Sequence, residues 1–209
     1  VIDYKAIKQL KINDLKLDMV CTGHGPVLDT RIDEIIETYR NWSTPAKKEG
    51  PKKVVMPYVS AYGYTGELAE AITKGIHEVD PTIQVIPYNL DILNYPQKKD
   101  EILAHFADAD GILLGTCTIN GDALPIIWDL SINLNPIVHG GKIVSAFGSY
   151  GWSGEGVDNI MDRLHQLRMK VIDGFKIKFR ASESETQAAI DFGKLFANSL
   201  LTGKVPARK

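Results

Sequence analysis

Three short segments, each rich in small, hydroxyl or aromatic residues, follow apolar runs that have the length of a buried strand. They are residues 60–66 (SAYGYTG), 116–121 (TCTING) and 149–154 (SYGWSG), and each leads into a helix-like stretch. In an open α/β sheet, ligands bind in the loops outside the carboxyl ends of the strands. We therefore expect an α/β fold in which these three segments converge on one binding site.

Strands and helices are predicted to alternate through most of the chain. Apolar runs predict five strands, at residues 54–59, 82–88, 111–115, 142–147 and 171–179. Amphipathic stretches predict helices at 65–79, 98–106, 123–130, 155–167 and 182–200, the last opened by a capping box of Ser182 and Glu185. This alternation predicts a doubly wound, five-stranded parallel sheet, and the short connections are compatible with the strand order 2-1-3-4-5.

A polar stretch bracketed by prolines divides the chain at residues 44–53 and has the composition of a linker. Before it, residues 1–43 contain a lysine-rich stretch, a short strand that runs into a glycine-flanked turn, and a helix with Ile32, Ile35 and Tyr39 on one face. Because this segment is too short to bury a core of its own, we expect it to be the tail of another domain. We expect the sheet domain to span residues 54–201, and the basic end, 202–209, to be a tail. The first residue is Val, so the sequence is expected to begin at a processing site or inside a longer protein.

The overall charge and the cysteine content narrow the possible classes of function. A chain of 209 residues with a net charge of −2 offers no electrostatic basis for binding nucleic acid or an anionic membrane. No stretch approaches the roughly 18 apolar residues of a membrane helix. Cys21 and Cys117 lie far apart, which argues against a disulfide framework, a thiolate zinc site or an appended iron–sulfur module. We expect a reducing, cytoplasmic setting.

The first of the three segments has the features of a phosphate-binding loop. Ser60 and Thr65 supply hydroxyl groups, and glycines allow the backbone to wrap round a ligand at a helix N-terminus, where N–H groups are unpaired. The loop holds no Lys, which argues against a Walker-type nucleotide site, and it lacks the Gly-x-Gly-x-x-Gly spacing of a dinucleotide site. The alternative is a glycine turn that only caps a helix.

The other two segments suit a flat ring. Residues 116–121 offer polar groups for a ring's carbonyl and imide edge, although an ordinary connection would have the same composition. Tyr150 and Trp152, like Tyr62, are candidates to cover the faces of the ring, whereas Trp128 is expected in the core. Together the segments predict a site for a phosphorylated aromatic cofactor, and FMN fits best. The candidate cofactor-binding residues are Ser60, Ala61, Tyr62, Gly63, Tyr64, Thr65, Thr116, Cys117, Thr118, Ile119, Asn120, Ser149, Tyr150, Gly151, Trp152, Ser153 and Gly154.

The order and spacing of the three loops resemble those of a flavodoxin-like domain, and residues 147–154 (FGSYGWSG) specifically resemble the flavodiiron protein family. Residues 21–26 (CTGHGP) resemble the end of that family's metallo-β-lactamase-like domain, so the resemblance covers essentially the whole chain. It implies a flavodoxin-like sheet preceded by a short remnant of the lactamase-like domain. It also implies an FMN-dependent oxidoreductase, a flavoprotein that passes electrons to a diiron site where O2 is reduced to water or NO to N2O.

The resemblance also implies partners and limits what this chain does alone. His24 matches the family's last metal-binding histidine, but the family's other iron ligands have no counterpart here, so His24 would bind iron only in the complete parent. We therefore assign no catalytic residue and expect the chain alone to be an electron-transfer module. The implied partners are the missing N-terminal diiron domain, a second copy in a head-to-tail homodimer, and an electron donor such as rubredoxin, a flavin reductase or reduced deazaflavin. Cys117 stands where the family has proline. Its thiol could perturb the surroundings of the flavin or only fill space, and we favour the second.

Two other classes of function remain open. The chain could be a stand-alone flavodoxin-type electron carrier with no catalytic metal site, although a pI near 6.2 and the presence of residues 1–43 count against this. It could also be a non-redox interaction domain that kept the fold and lost the ligand, since a fold does not fix a function. The intact hydroxyl and aromatic loops argue against that third class.

Overall fold

The computed structural model describes residues 17–43, 50–167 and 169–207. They fall into two compact units that divide between Gly50 and Pro51. Almost all of the predicted lysine-rich stretch, most of the predicted linker and the last two residues of the predicted tail lie outside the described residues.

The described part of the first unit is a turn followed by a helix. Val20 and Leu28 exchange two backbone hydrogen bonds, of 2.8 and 3.0 Å, and so close the turn that contains His24. Helix α1 (Ile32–Ser43) follows, as its apolar periodicity predicts.

The second unit contains the predicted alternation of strands and helices. Its strands are β1 (Lys53–Val59), β2 (Gln84–Leu90), β3 (Gly111–Ile119), β4 (Asp122–Ala123), β5 (Ile143–Tyr150), β6 (Lys170–Val171) and β7 (Phe175–Lys178). Its helices are α2 (Tyr64–Val79), α3 (Tyr95–Asp108), α4 (Pro125–Ile132), α5 (Pro136–His139), α6 (Glu155–Gln166) and α7 (Glu183–Thr202). The predicted capping box at Ser182 and Glu185 is confirmed at the start of α7.

The sheet is parallel and has the order β2-β1-β3-β5-β6, with β7 also paired with β5 and β4 antiparallel to β3. The predicted order 2-1-3-4-5 is thereby confirmed, with β5 as the fourth strand. The predicted fifth strand is divided into β6 and β7. The intervening chain stays beside β5, because the Ser145 hydroxyl donates to the carbonyl oxygens of Ile172 (2.9 Å) and Asp173 (3.3 Å).

Two apolar clusters cover the two faces of the sheet. One contains residues of α3, α4 and α6, including Phe106 and Ile160, and the other contains residues of α2 and α7, including Ile72 and Phe196. On β3, Ile112 belongs to the first cluster and its neighbour along the chain, Leu113, to the second. A strand covered on both faces is uniformly apolar, which is why the runs in β3 and β5 predicted buried strands.

Helices α2 and α7 pack closely where each carries a glycine. A Cβ atom on Gly193 would overlap the carbonyl oxygen of Ile72, and one on Gly75 would overlap that of Ile190. This packing fixes α2 against α7. None of the helices in the described ranges is long and apolar enough to cross a membrane.

Candidate functional site

The three predicted loops meet at the carboxyl edge of the sheet. The hydroxyl groups of Thr65, in the first turn of α2, and Ser149, near the end of β5, lie 3.0 Å apart and form a buried hydrogen bond. The Thr118 hydroxyl, near the end of β3, accepts a hydrogen bond of 3.2 Å from the Gly156 N–H in the first turn of α6. These two contacts tie the ends of two strands, β5 and β3, to the N-termini of two helices.

The first loop turns sharply between β1 and α2. Gly63 occupies the position before the helix with φ 86°, a left-handed conformation that glycine adopts without steric cost. The Ser60 hydroxyl accepts a hydrogen bond from the Gly66 N–H (3.1 Å) and keeps its own proton to donate. Gly63 itself has no side chain that could cap the helix, so the N–H groups that precede Gly66 carry the partial positive charge of the helix dipole.

The second segment differs from the prediction, because residues 116–119 continue β3 and do not form a loop. A tight turn follows at Asn120 (φ 54°) and Gly121 (φ 73°), and the chain returns as β4. An Asn-Gly pair with two positive φ angles is typical of a type I′ hairpin, and this signal in the sequence would have indicated the turn.

Hydrogen bonds fix this hairpin to the neighbouring helices. One oxygen of Asp122 accepts from the Asn159 amide (2.8 Å) and from the Trp128 indole N–H (2.9 Å). These bonds lower the pKa of the Asp122 carboxyl, and the bond from Asn159 has the largest effect. Trp128 packs against the core on α4, as expected.

The third segment presents two aromatic side chains in different ways. Tyr150 ends β5, and its ring lies where a Cβ atom on Gly154 would come within 2.8 Å of Cδ1. Trp152 projects from the loop and is 93% exposed. The Ser153 hydroxyl donates to a Glu155 oxygen (2.6 Å), which lowers the pKa of that carboxyl at the start of α6.

The loops enclose an open cleft of about 820 Å³ that adjoins a recess of about 100 Å³. The cleft is within the range of roughly 300–1,000 Å³ that small-molecule sites occupy. The predicted residues that line the cleft or the recess are Ala61, Tyr62, Tyr64, Cys117, Thr118, Ile119, Asn120, Ser149, Tyr150, Gly151, Trp152 and Ser153.

The remaining predicted residues are not part of this lining. Thr116 is fully buried, and its hydroxyl donates to the Cys117 carbonyl and accepts from the Leu124 N–H. The others precede or begin a helix, or form the hydrogen bonds given above. They are Ser60, Gly63, Thr65 and Gly154.

Phe179 also lines both the cleft and the recess, and sequence reasoning missed it. It directly follows β7, its side chain is 57% exposed, and its backbone has φ 60°. A single sequence gives no signal for such a residue, because a left-handed backbone is rare for bulky side chains. Gly121, the other unpredicted residue of the lining, ends the second segment.

The electrostatics of the cleft suit a phosphate that is held by dipoles. Among the described residues that line it there is no Asp, Glu, Lys, Arg or His. Two ion pairs are made by residues outside this lining: Arg180 Nε, next in the chain to Phe179, lies 3.0 Å from Glu67 on α2, and Lys176 pairs with Asp158 on α6. Hydroxyls and open N–H groups at a helix N-terminus can bind a phosphate without a cation.

No cluster of three or more His, Cys, Asp or Glu side chains that could hold a metal ion occurs in the described residues. His24 lies exposed in the turn of the first unit.

The flavodoxin family model matches residues 57–193. The chain belongs to the flavodoxin family. This membership confirms the predicted fold, and it implies FMN as the cofactor.

Among relatives, the chain is 38% identical over 200 residues to the flavo-diiron protein FprA2 of Clostridium acetobutylicum, covering 93% of this chain and 48% of that protein. It is 31% identical over 191 residues to the anaerobic nitric oxide reductase flavorubredoxin of Aliivibrio salmonicida, covering 91% of this chain and 37% of that one. The expected resemblance to flavodiiron proteins is confirmed. The chain spans about half or less of the length of these relatives.

A solved structure, the rubredoxin oxygen:oxidoreductase of the anaerobe Desulfovibrio gigas, matches with a TM-score of 0.65. The match covers 95% of this chain and 48% of that one at 20% identity, and it shows a common fold.

The residues present fit FMN on two structural grounds. Trp152 and Tyr62, which is 85% exposed, leave large aromatic surfaces open at the cleft, where a planar ring could cover them. The N-terminus of α2, where Gly63 offers no capping side chain, lies beside the same cleft, through Tyr62 and Tyr64 of its lining, and suits the phosphate end.

Proposed function

We propose that this chain is the FMN-binding, electron-transfer part of a flavodiiron-type oxidoreductase. The observation that carries the proposal is the cleft at the carboxyl edge, which has no charged residue in its described lining and where exposed aromatic rings and the N-terminus of α2 lie together. The similarity to a flavo-diiron protein and to a nitric oxide reductase flavorubredoxin over more than nine-tenths of the chain supports it.

The roles of the residues follow from their chemistry. The N–H groups around Tyr62–Thr65 and the Ser60 hydroxyl would hold the phosphate. Tyr62, Tyr150 and Trp152 would cover the ring and keep water from its faces, and the strand end at Thr118–Asn120 would face its polar edge. When bound, FMN supplies the ability to take up and release electrons.

The complete protein is proposed to deliver those electrons to a diiron site that reduces O2 to water or NO to N2O. The names of the relatives include a nitric oxide reductase and a rubredoxin oxygen:oxidoreductase. The diiron site would lie on a part of the longer protein outside this chain, with residues 1–43 as the end of the lactamase-like domain, 44–53 as the linker and His24 as one of its ligands. Rubredoxin, a flavin reductase or reduced deazaflavin as donor, a head-to-tail homodimer and a cytoplasmic setting belong to the same proposal.

Titration with FMN and riboflavin, together with matched variants, tests the flavin site. Trp152→Ala removes an exposed ring from the cleft, and Trp42→Ala removes one from the first unit, where the side chain is 76% exposed. We expect FMN to bind the unchanged chain and the Trp42 variant equally, and the Trp152 variant more weakly. An unchanged chain that failed to bind FMN, or bound it only at millimolar concentration, would refute the proposal.

Native mass spectrometry of the protein from its natural source tests the complete enzyme. We expect FMN and iron on the assembly that contains this chain. FMN without iron would support the alternative, a stand-alone flavodoxin-type carrier, to which the flavodoxin family match also corresponds.

A further inference from the structure

The backbone around Phe179 places its ring at the mouth of the cleft. The Phe179 N–H donates to the Tyr150 carbonyl oxygen over 2.8 Å, so the end of β7 is fixed beside the end of β5. The ring lies against the third loop, since a Cβ atom on Gly151 would come 3.3 Å from Phe179 Cε1. Phe179 thereby shares the lining of the recess with Tyr62 and Tyr64.

Two features of Phe179 oppose the stability of the flavin-free protein. Its φ of 60° is a left-handed conformation that costs free energy for a bulky side chain. This apolar residue is also more than half exposed to water, with the Lys178 ammonium 5.9 Å from the centre of its ring. A planar ligand in the cleft would cover this ring. Binding would then bury apolar surface of Phe179 that is exposed to water in the free protein.

We propose that Phe179 is a further contact for the flavin ring and that its left-handed backbone positions it for this contact. The inference rests on the proposed function, because it takes FMN as the ligand of the cleft. The contact is with the ring and not with the phosphate, so it affects FMN and riboflavin alike.

Two variants at this position distinguish the effect of the aromatic ring from the effect of the backbone conformation. Phe179→Gly removes the ring and relieves the backbone conformation, whereas Phe179→Leu keeps apolar bulk without an aromatic face. Phe179→Tyr is the conservative change, because it keeps an aromatic ring at this position. The matched control is Phe175→Leu in β7, the strand that Phe179 follows; the Phe175 ring stacks on Phe192 at 5.5 Å and lies outside the lining of the cleft.

The experiment is a fluorescence titration of each variant with FMN and with riboflavin, with the visible absorbance and midpoint potential of the bound flavin as further readouts. We expect Phe179→Gly and Phe179→Leu to lower the affinity for both flavins by the same factor, about 2- to 12-fold for one aromatic contact. We also expect them to shift the absorbance band and the potential. Phe179→Tyr should have the affinity, absorbance band and midpoint potential of the unchanged chain. Phe175→Leu should lower thermal stability without changing the affinity for flavin.

Each outcome decides between the two proposals. If the unchanged chain binds FMN but Phe179→Gly binds it equally well, with the same spectrum and potential, the inference about Phe179 is overturned and the proposed function stands. A loss of affinity for FMN alone, with riboflavin unaffected, would also overturn it, since that would indicate a phosphate contact. If the unchanged chain binds neither flavin, both proposals fail.

Discussion

The hydroxyl groups of Thr65 and Ser149 lie 3.0 Å apart in a buried position and join the first turn of α2 to the end of β5. Strand β3 lies between β1, which leads into α2, and β5, so this bond spans the sheet edge over the middle strand. It fixes the distance between the loop suited to a phosphate and the loop that carries Tyr150 and Trp152.

Removing either partner of this bond should destabilise the flavin-free chain. Thr65→Val keeps the shape of the side chain and leaves the buried Ser149 hydroxyl without its partner, which costs about 1–3 kcal/mol. Ser149→Ala should likewise leave the buried Thr65 hydroxyl without its partner. Urea unfolding of the two single variants and the double variant measures this, and we expect the double variant to cost less than the sum. Strictly additive costs would show that the two hydroxyls do not interact.

Gly193→Ala should be strongly destabilising. The added methyl group would overlap the carbonyl oxygen of Ile72, and α7 would have to move away from α2. Overpacking of this kind costs about 1–3 kcal/mol. Gln187→Ala, on the exposed face of the same helix, is the control and should stay within about 0.5 kcal/mol in denaturant unfolding. Equal stabilities of the two variants would contradict the close packing of these helices.

The hairpin at Asp122 should weaken in acid. Hydrogen bonds in the folded state lower the pKa of Asp122 below its ordinary value of 3.8, so the unfolded chain binds the proton more readily. The stabilisation is therefore fully present above that value and is lost as the pH falls through the lower, folded-state pKa. Unfolding free energies from pH 6 to pH 2 should fall less steeply in Asp122→Asn. Parallel curves for the two proteins would be evidence against this contribution.

Trp152→Ala should lower FMN affinity without lowering the stability of the flavin-free chain. The side chain is 93% exposed, so its removal loses little buried surface in the free protein. A stacked ring contributes about 0.5–1.5 kcal/mol, which predicts a loss of about 2- to 12-fold in affinity. Flavin titration and thermal unfolding of the same sample measure both effects. A loss of stability with unchanged affinity would mean that Trp152 has a structural role only.

The order of the sheet and most of the cleft could be predicted because they depend on local patterns. Apolar runs in β3 and β5 indicate strands buried on both faces, and loops at their carboxyl ends must meet in a parallel sheet. The capping box of Ser182 and Glu185 likewise depends on residues three positions apart.

The parts that the sequence did not predict depend on contacts between distant segments. One exception is local: the hairpin that brings the Leu124 N–H to the Thr116 hydroxyl is indicated by the Asn120-Gly121 pair. The division between β6 and β7 depends on the hydrogen bonds that the Ser145 hydroxyl donates to the carbonyl oxygens of Ile172 and Asp173. The position of Phe179 is fixed by its bond to Tyr150 and by a backbone angle that its residue type disfavours. None of these contacts leaves a periodic signal in one sequence.

The central claim is that the cleft binds FMN with its phosphate at the N-terminus of α2. The most direct test is calorimetric titration of the flavin-free chain with FMN and with riboflavin, which differ only in the phosphate. The account predicts one FMN per chain and binding of riboflavin at least about tenfold weaker, a difference of roughly 1.4 kcal/mol. Equal affinity for the two flavins would contradict the phosphate site, and no binding of either would contradict the account as a whole.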